Sequence, residues 1–486
     1  MLSYFFNKDE WLGNVKGDIL SGMTVALALI PEAISFAIIV GVNPMVGLYA
    51  SFCIAVVIAI FGGRPGMISA ATGAMALVMV SLVKVHGIEY MFAATVMTGV
   101  LQFILGKFKL GSLISFVPHS VVLGFVNSLA VLIFMAQIPH FAGESWVMFA
   151  LVAGTLAIVY GLPRLTNVIP SPLVAIVVMT IISIGLKLDV RTVGDMGTIT
   201  KALPIFHIAN VPLTFETLQI IFPYVITLSI VGLLESLLTA TIVDELTETK
   251  GDMNREVTGQ GIANVVAGFF GGMAGCAMIG QSVINIKSGG RKRLSALVSG
   301  FFLLFLIIVL GDIVAMVPMA ALVGVMIMVS ISTFEWHSIK QMTKLNLSCN
   351  LEMLATMVIV IITHNLAYGV LAGIAISAIH FAWKIAEVDV KIHMSELDGE
   401  EYRVYRITGQ VFFASTSRFI DFFDVANDPK HIIIDFKNAH VWDHSAVVAL
   451  GKVKERYTKA GKEIHVVGLN EKSSDIVLKL YNDMTA

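Results

Sequence analysis

Long apolar runs separated by short polar intervals dominate this chain. A helix that crosses a bilayer needs about 20 mostly apolar residues. Runs of that kind fall at 18–40, 44–62, 88–106, 113–138, 146–161, 168–187, 218–242, 256–270, 293–311, 317–333, 352–366 and 369–386. Two shorter apolar pieces, 72–83 and 278–288, cannot cross. The pattern predicts about fourteen segments, with 352–366 and 369–386 open to being a hairpin that does not fully cross. Both short pieces are introduced in the same way. Phe61-Gly62-Gly63 leads through small residues to Thr72-Gly73-Ala74-Met75, and Phe270-Gly271-Gly272 leads to Met278-Ile279-Gly280-Gln281-Ser282, 209 positions later. Interrupted segments at matching places in two halves are the sign of an inverted-repeat transporter, with the solute bound where the breaks meet.

The pattern changes near Glu387, and the remainder reads as a soluble α/β unit. Tyr402–Ile407 alternates as a strand does, His431–Phe436 is a buried strand, and Lys462–Gly468 is another. Between them Ser445–Tyr457 has helical period, with Val447, Val448, Leu450, Val453 and Tyr457 on one side. Strands alternating with helices imply a small α/β fold.

Composition agrees with lipid as the main solvent: 57% of residues are hydrophobic and 14% charged, against about 25% charged in soluble domains. A net charge of −2 favours no nucleic-acid partner. Cys53, Cys276 and Cys349 are scattered, so neither a disulfide framework nor a metal site follows. No enzymatic activity and no resident cofactor are expected. The first residues lack signal-peptide character, so the first apolar run is expected to direct insertion. With the N-terminus in the cytoplasm, inside loops hold fourteen Lys and Arg and outside loops four, the asymmetry of the positive-inside rule. An even number of crossings then leaves the C-terminus cytoplasmic too.

The candidate chemistry lies at the two breaks. The first turn of a helix has N–H groups without intrahelical partners, and the helix dipole adds positive potential there. Two such starts facing each other form an anion site at membrane depth without any arginine. Thr72 could add a hydroxyl donor, Gly280 is small, and Gln281 and Ser282 offer side-chain donors. The bland alternative is a glycine-rich kink for tight helix packing. Charged groups inside spanning helices are functional candidates by default. Glu235 shares one helix face with Gly232, Ser236 and Thr239, a stripe that suits a hard cation, or a glutamate bonded to the opposing break. Glu32 follows Pro31, which frees a backbone carbonyl. Gln260 and Asn264 read as bonds between helices, His119 as a cap, His364 and Asn365 as turn residues, and Lys84 and Asp312 as segment ends. Arg291-Lys292-Arg293 reads as a topology anchor, with contact to anionic lipid second.

Gly17-Asp18, Thr24-Val25-Ala26, Ile30-Pro31-Glu32-Ala33, Gly47-Leu48-Tyr49-Ala50-Ser51, Gly259-Gln260-Gly261-Ile262-Ala263-Asn264 and Val283-Ile284-Asn285-Ile286-Lys287 together resemble the sulfate permease (SulP) family of anion transporters. Ile434-Asp435-Phe436 and Trp442-Asp443-His444-Ser445-Ala446 look like its STAS domain. The family often has glutamine where this chain has Glu32. The resemblance implies an α-helical, polytopic seven-plus-seven inverted repeat over 1–386. A core (about 14–110 and 216–312) would move against a gate (about 111–215 and 313–386), with a cytoplasmic STAS domain at 387–486. It implies a homodimer in the plasma (bacterial inner) membrane. The substrate is then expected at Glu32, Phe36, Thr72, Gly73, Ala74, Met75, Met278, Ile279, Gly280, Gln281 and Ser282. In sodium-coupled members an acid and a hydroxyl four residues apart contribute to a sodium site, a spacing that Glu235 and Thr239 match. Ser445 matches a serine phosphorylated in free-standing STAS proteins, unless Asp443 or Ser445 merely caps the helix.

Two ionised glutamates near an anion would repel it, each by roughly 2 kcal/mol at about 8 Å and an effective dielectric of about 20. Either a bound cation compensates or a proton neutralises. The expectation is therefore a secondary transporter of a small inorganic anion such as sulfate or bicarbonate, in symport with Na⁺ or H⁺. The rivals are a C4-dicarboxylate transporter, a channel-like chloride or nitrate conductor, and a membrane-tethered STAS scaffold that no longer transports.

Overall fold

The structure, a computed structural model, describes residues 8–109, 111, 117–165, 170–212, 214–344, 346–397 and 400–485. The first residues of the predicted runs 113–138 and 168–187 lie outside these. The chain forms two compact units, Met1–Ile374 and Ala375–Ala486.

The first unit is helical, and the fourteen segments are present. The first seven are α1 (Val15–Val40), α2 (Pro44–Phe61), α3 (Gly73–His86), α4 (Ile88–Lys107), α5 (His119–Met135), α6 (Trp146–Gly161) and α7 (Ser171–Gly185). Their counterparts are α8 (Phe215–Thr247), α9 (Met253–Phe269), α10 (Ile279–Lys287), α11 (Arg293–Ala315), α12 (Met319–Thr333), α13 (Leu347–Thr363) and α14 (Leu366–Ile385). Short helical turns, not numbered here, join some of them. Among the described residues nine helices are long and apolar enough to cross a membrane by themselves. The rest have 9 to 17 residues. The helical part of 168–187 is the 15 residues of α7, and α9 spends its 17 residues partly on Gln260 and Asn264. The uncertain final pair is two helices, α13 and the 20-residue α14. His364 in the left-handed region (φ 51°) and Asn365, whose Oδ1 accepts from Ala367 N–H at 3.0 Å, turn the chain between them.

The helices pack in two groups. α9 lies along α4, α11 lies on α1 and α2, and α8 rests on α4. α13 and α12 lie on α5, and α6 packs against α12 and α7. Glycine sets the closest approach in the first group: a Cβ on Gly99 would stand 2.5 Å from the Gly261 carbonyl oxygen. In a membrane such proximity replaces the hydrophobic driving force. The two half-helices α3 and α10 are each preceded by a three-residue strand, β1 (Ser69–Ala71) and β2 (Gly275–Ala277).

The second unit holds a four-stranded sheet in the order β3 (Asp389–Leu397), β4 (Glu400–Val411), β5 (His431–Val441), β6 (Glu463–Val467). The first pair is antiparallel and the other two are parallel. Helices α15 (Thr416–Asp421), α16 (His444–Lys459) and α17 (Glu471–Thr485) complete it. Strand β3 and helices α15 and α17 were not foreseen. Of the predicted α16 face, Val447, Leu450, Val453 and Tyr457 are buried and Val448 is half-buried. Asp443 caps α16, its Oδ1 accepting from Ala446 N–H at 2.9 Å, while Ser445 is exposed in the first turn. The core contains a charged cluster. Asp428 pairs with Arg403 at 2.8 Å and accepts from the hydroxyls of Tyr405, at 2.7 Å, and Tyr457.

Burial, followed by the bond to Asp428, pushes the Tyr457 hydroxyl well above the usual tyrosine range. It stays protonated in the fold after the unfolded chain would lose its proton. Its stabilisation is complete below about pH 10 and is lost above it. Tyr457→Phe is expected to cost about 1–2 kcal/mol. In full-length protein, amides of β5 and α16 should then exchange hydrogen roughly 5–30 times faster; unchanged exchange would refute the assignment.

Candidate functional site

The two breaks meet. Strands β1 and β2 pair antiparallel, with Ser69 opposite Ala277, Ala70 opposite Cys276 and Ala71 opposite Gly275. Only glycine fits at position 275, where a Cβ would lie 2.1 Å from the Ala70 carbonyl oxygen. Polar side chains of α8 and α9 complete the hydrogen bonding that so short a ladder leaves open. Asn264 takes the N–H and the carbonyl of Gly275, at 2.9 and 3.0 Å, and donates to Gln102 at 2.9 Å. Gln260 donates to Ser69 at 2.7 Å. Ser236 accepts from Ala277 N–H at 3.1 Å. The amides read as bonds between helices thus serve chiefly the crossing strands.

Each strand delivers a helix start. At α3 the Thr72 hydroxyl caps Met75 N–H at 3.4 Å, and the N–H groups of Gly73 and Ala74 have no intrahelical acceptor. At α10 the cap residue Met278 has no side-chain cap bond. The N–H groups of Ile279, Gly280 and Gln281 are open in the same sense, because the first intrahelical bond runs from Ser282 to Met278. Both starts open into one cavity of about 950 Å³. One wall is a single face of α1, namely Thr24, Ala28, Glu32 and Phe36 at four-residue spacing. The opposite wall comes from α5 and α12, including Leu129, Ile133, Val325 and Met328. Lys287, Ser288, Ser332 and Thr333 stand at its far end.

Ten of the expected residues line this cavity: Glu32, Phe36, Thr72, Gly73, Ala74, Met278, Ile279, Gly280, Gln281 and Glu235. Met75, Ser282 and Thr239 do not. Met75 is fully buried and lies against Gly232 of α8. The Ser282 hydroxyl accepts from Ile68 N–H at 3.0 Å. Thr239 is turned to its own helix and donates to the Glu235 carbonyl at 2.7 Å. The expected side-chain donors are therefore committed, because the Gln281 amide also donates, to Glu32 at 3.0 Å. Open backbone N–H groups remain for a solute, because the Thr72 hydroxyl accepts from Met75 N–H and donates to Cys276 Sγ once that thiol donates to Glu235.

Cys276 carried no role in the sequence, yet it joins the site together. Its Sγ–H donates to the Glu235 carboxylate at 3.0 Å, and Sγ lies 3.1 Å from the Thr72 hydroxyl. The alternation of a strand is the signal that would have turned it away from its neighbours. Glu235 is buried and within reach of the first helix start through this thiol. Among the described residues no group of three or more His, Cys, Asp or Glu could hold a metal ion.

Phe36 and Ile133 crowd the first helix start. A Cβ on Gly73 would meet Phe36 at 2.9 Å and Ile133 at 3.1 Å. A separate cavity of about 900 Å³ begins past that point, lined by Ile39, Leu77, Lys84, Leu132 and His140.

Comparison with known proteins accords with this architecture. The sulfate permease family matches residues 15–164 and 144–359. The chain belongs to the sulfate permease family. A STAS domain matches residues 391–481. This member is 56% identical to the Bacillus subtilis protein named "Putative sulfate transporter YbaR", over 99% of this chain and all of that one. It is 26% identical to the bicarbonate transporter BicA of Picosynechococcus, over 94% and 89% of the two chains. Among solved structures, the transmembrane domain of a cyanobacterial bicarbonate transporter BicA superposes with a TM-score of 0.67 at 29% identity. It covers 74% of this chain and 97% of that one. SLC26A9 shares the fold, at a TM-score of 0.83 and 15% identity, over all of this chain and 89% of that one. The sulfate permease fold, a helical polytopic membrane protein followed by a STAS domain, is therefore the fold of this chain.

Proposed function

We propose that this chain is a secondary transporter of a small inorganic anion of the sulfate or bicarbonate kind, working by alternating access in symport with Na⁺ or H⁺. The observation that carries it is the shared cavity: two open helix starts and a buried carboxylate, Glu235, line one space. Backbone N–H groups at a helix start bind oxyanions, and among the described residues that line this cavity Lys287 is the one cation. Lack of a second basic clamp favours a small anion over a dicarboxylate. Relatives named as sulfate and bicarbonate transporters support the same class.

In this reading α1–α4 and α8–α11 form the moving core and α5–α7 and α12–α14 the gate, in a homodimer of the bacterial inner membrane. With cytoplasmic termini, the mouth at Lys287 and Ser288 opens inward. Phe36 and Ile133 then close the outer side over Gly73, an inward-facing arrangement.

Radiolabelled sulfate, bicarbonate and succinate uptake into liposomes, with and without sodium at two pH values, tests the reading. Gradient-stimulated uptake of sulfate or bicarbonate is expected. Succinate alone, or no anion, would sink it. Gly280 offers a cleaner probe. No atom lies within 4 Å of a Cβ placed there, so Gly280→Val should fold normally while filling the space at the second helix start. KM is expected to rise about tenfold, the equivalent of about 1.4 kcal/mol, with the melting temperature unchanged.

A further inference from the structure

A cavity of about 820 Å³ shares no lining residue with the transport cavity. Its walls are the turn Gly63-Arg64-Pro65 after α2, the connection between α8 and α9, the Arg291–Arg293 stretch before α11, and Lys8 with Glu10. Seven Lys or Arg stand in this lining against two carboxylates.

Part of that charge builds the walls. Arg293, buried, pairs with Glu10 at 2.6 Å and donates to the Gly62 carbonyl at 2.8 Å. Arg64 pairs with Asp244 at 2.8 Å and donates to Thr249 at 2.9 Å. The lining acids are committed as well: Glu10 to Arg293, and Asp252 to the N–H groups of Asn254 and Arg255, each at 3.0 Å. Uncompensated charge remains on Lys8, Lys250 and Lys292, which form no ion pair among the described residues. Arg291 spends Nη1 on the carbonyls of Ile286 and Gly290. A topology signal needs only the number of positive residues in a loop. It does not need two guanidinium groups bonded into a concave wall.

We propose that this pocket binds an anion bearing a phosphate group, supplied either by an anionic lipid headgroup or by a soluble phosphorylated molecule. Lysines act on phosphate as point charges, and an arginine edge adds directed hydrogen bonds. The binding does not depend on which solute the chain transports. Its wall does connect with the crossing point. Glu256 accepts from the N–H groups of Gly63 and Arg64, at 2.7 and 3.2 Å, and from Gln260 at 2.8 Å, the same amide that holds Ser69 of β1.

Thermal unfolding of full-length protein in neutral detergent tests this. The probes are phosphatidylglycerol, phosphatidylcholine, pyrophosphate and sulfate at matched ionic strength. Phosphatidylglycerol or pyrophosphate should raise the midpoint by at least about 3 °C, while phosphatidylcholine should not. In Lys250→Gln/Lys292→Gln that shift should fall by more than half. Any shift from sulfate, which the transport cavity can supply, should persist. Five cationic side chains still line the pocket in the variant, so insertion is preserved. If its midpoint is low without ligand, Lys8→Gln replaces it. A response to phosphatidylglycerol alone assigns the headgroup; a response to pyrophosphate as well assigns soluble phosphate. No shift from either probe, or equal shifts in wild type and variant, overturns the proposal.

Discussion

Glu235→Gln is expected to uncouple anion uptake from its driving gradient. The carboxylate is buried, accepts from Cys276 and lines the same cavity as the two helix starts. An ionised carboxylate at about 8 Å, with an effective dielectric of about 20, disfavours a bound monoanion by roughly 2 kcal/mol, about 30-fold in affinity. Neutralising it with a proton or a sodium ion therefore favours the anion, and by linkage the anion favours the cation equally. Glutamine keeps the shape and is neutral in every state. Binding should survive while its dependence on the cation vanishes. A tenfold cation gradient is worth about 1.4 kcal/mol. Wild type should convert it into up to about tenfold accumulation in liposomes, and the variant into none. Undiminished accumulation in the variant would remove Glu235 from the mechanism, and with it the symport reading of this site.

Asn264→Leu should have the largest effect on the fold. Asn264 holds both the N–H and the carbonyl of Gly275 and also bonds to Gln102. No water is expected to reach that position, because Asn264, Gln102 and the strand β2 are fully buried. Leaving two backbone groups without partners costs about 1–3 kcal/mol each, so about 2–6 kcal/mol in total. That is a large share of the stability of a membrane-spanning unit. The expected outcome is a sharp loss of monodisperse protein and a markedly lower melting temperature. A variant that melts within about 1 °C of wild type would show that the crossing of β1 and β2 does not need this amide.

Much of the architecture was legible because its causes are local. Apolar length separates spanning segments from half-helices, and the repeated Gly-Gly break marks both places where a helix must restart. The periods of β5 and α16 are likewise properties of a few consecutive residues. Strand β3 and helix α17 carry local patterns of the same kind, Val390, Ile392 and Met394 alternating with polar residues and Ile476, Val477 and Leu480 at helical spacing, so their causes were local as well although neither was foreseen. The stripe Gly232, Glu235, Ser236 and Thr239 followed from helical period. Of its members only Glu235 lines the cavity, since Ser236 is spent on Ala277 N–H and the Thr239 hydroxyl is taken by the helix carbonyl one turn back.

The sequence alone therefore determined the segment count, the two interrupted helices and the acidic residues placed among apolar ones, all of which follow from spacing along one chain. Tertiary structure decided which polar groups stay open to a solute. Gln281 is committed to Glu32, Ser282 to Ile68, and Cys276 lies between Thr72 and Glu235. Loop lysines and arginines that were only a charge count along the chain became a walled pocket when three loops converged. Hydrogen bonds and enclosed charge depend on partners about 40 to 250 positions away, and only folding sets those distances.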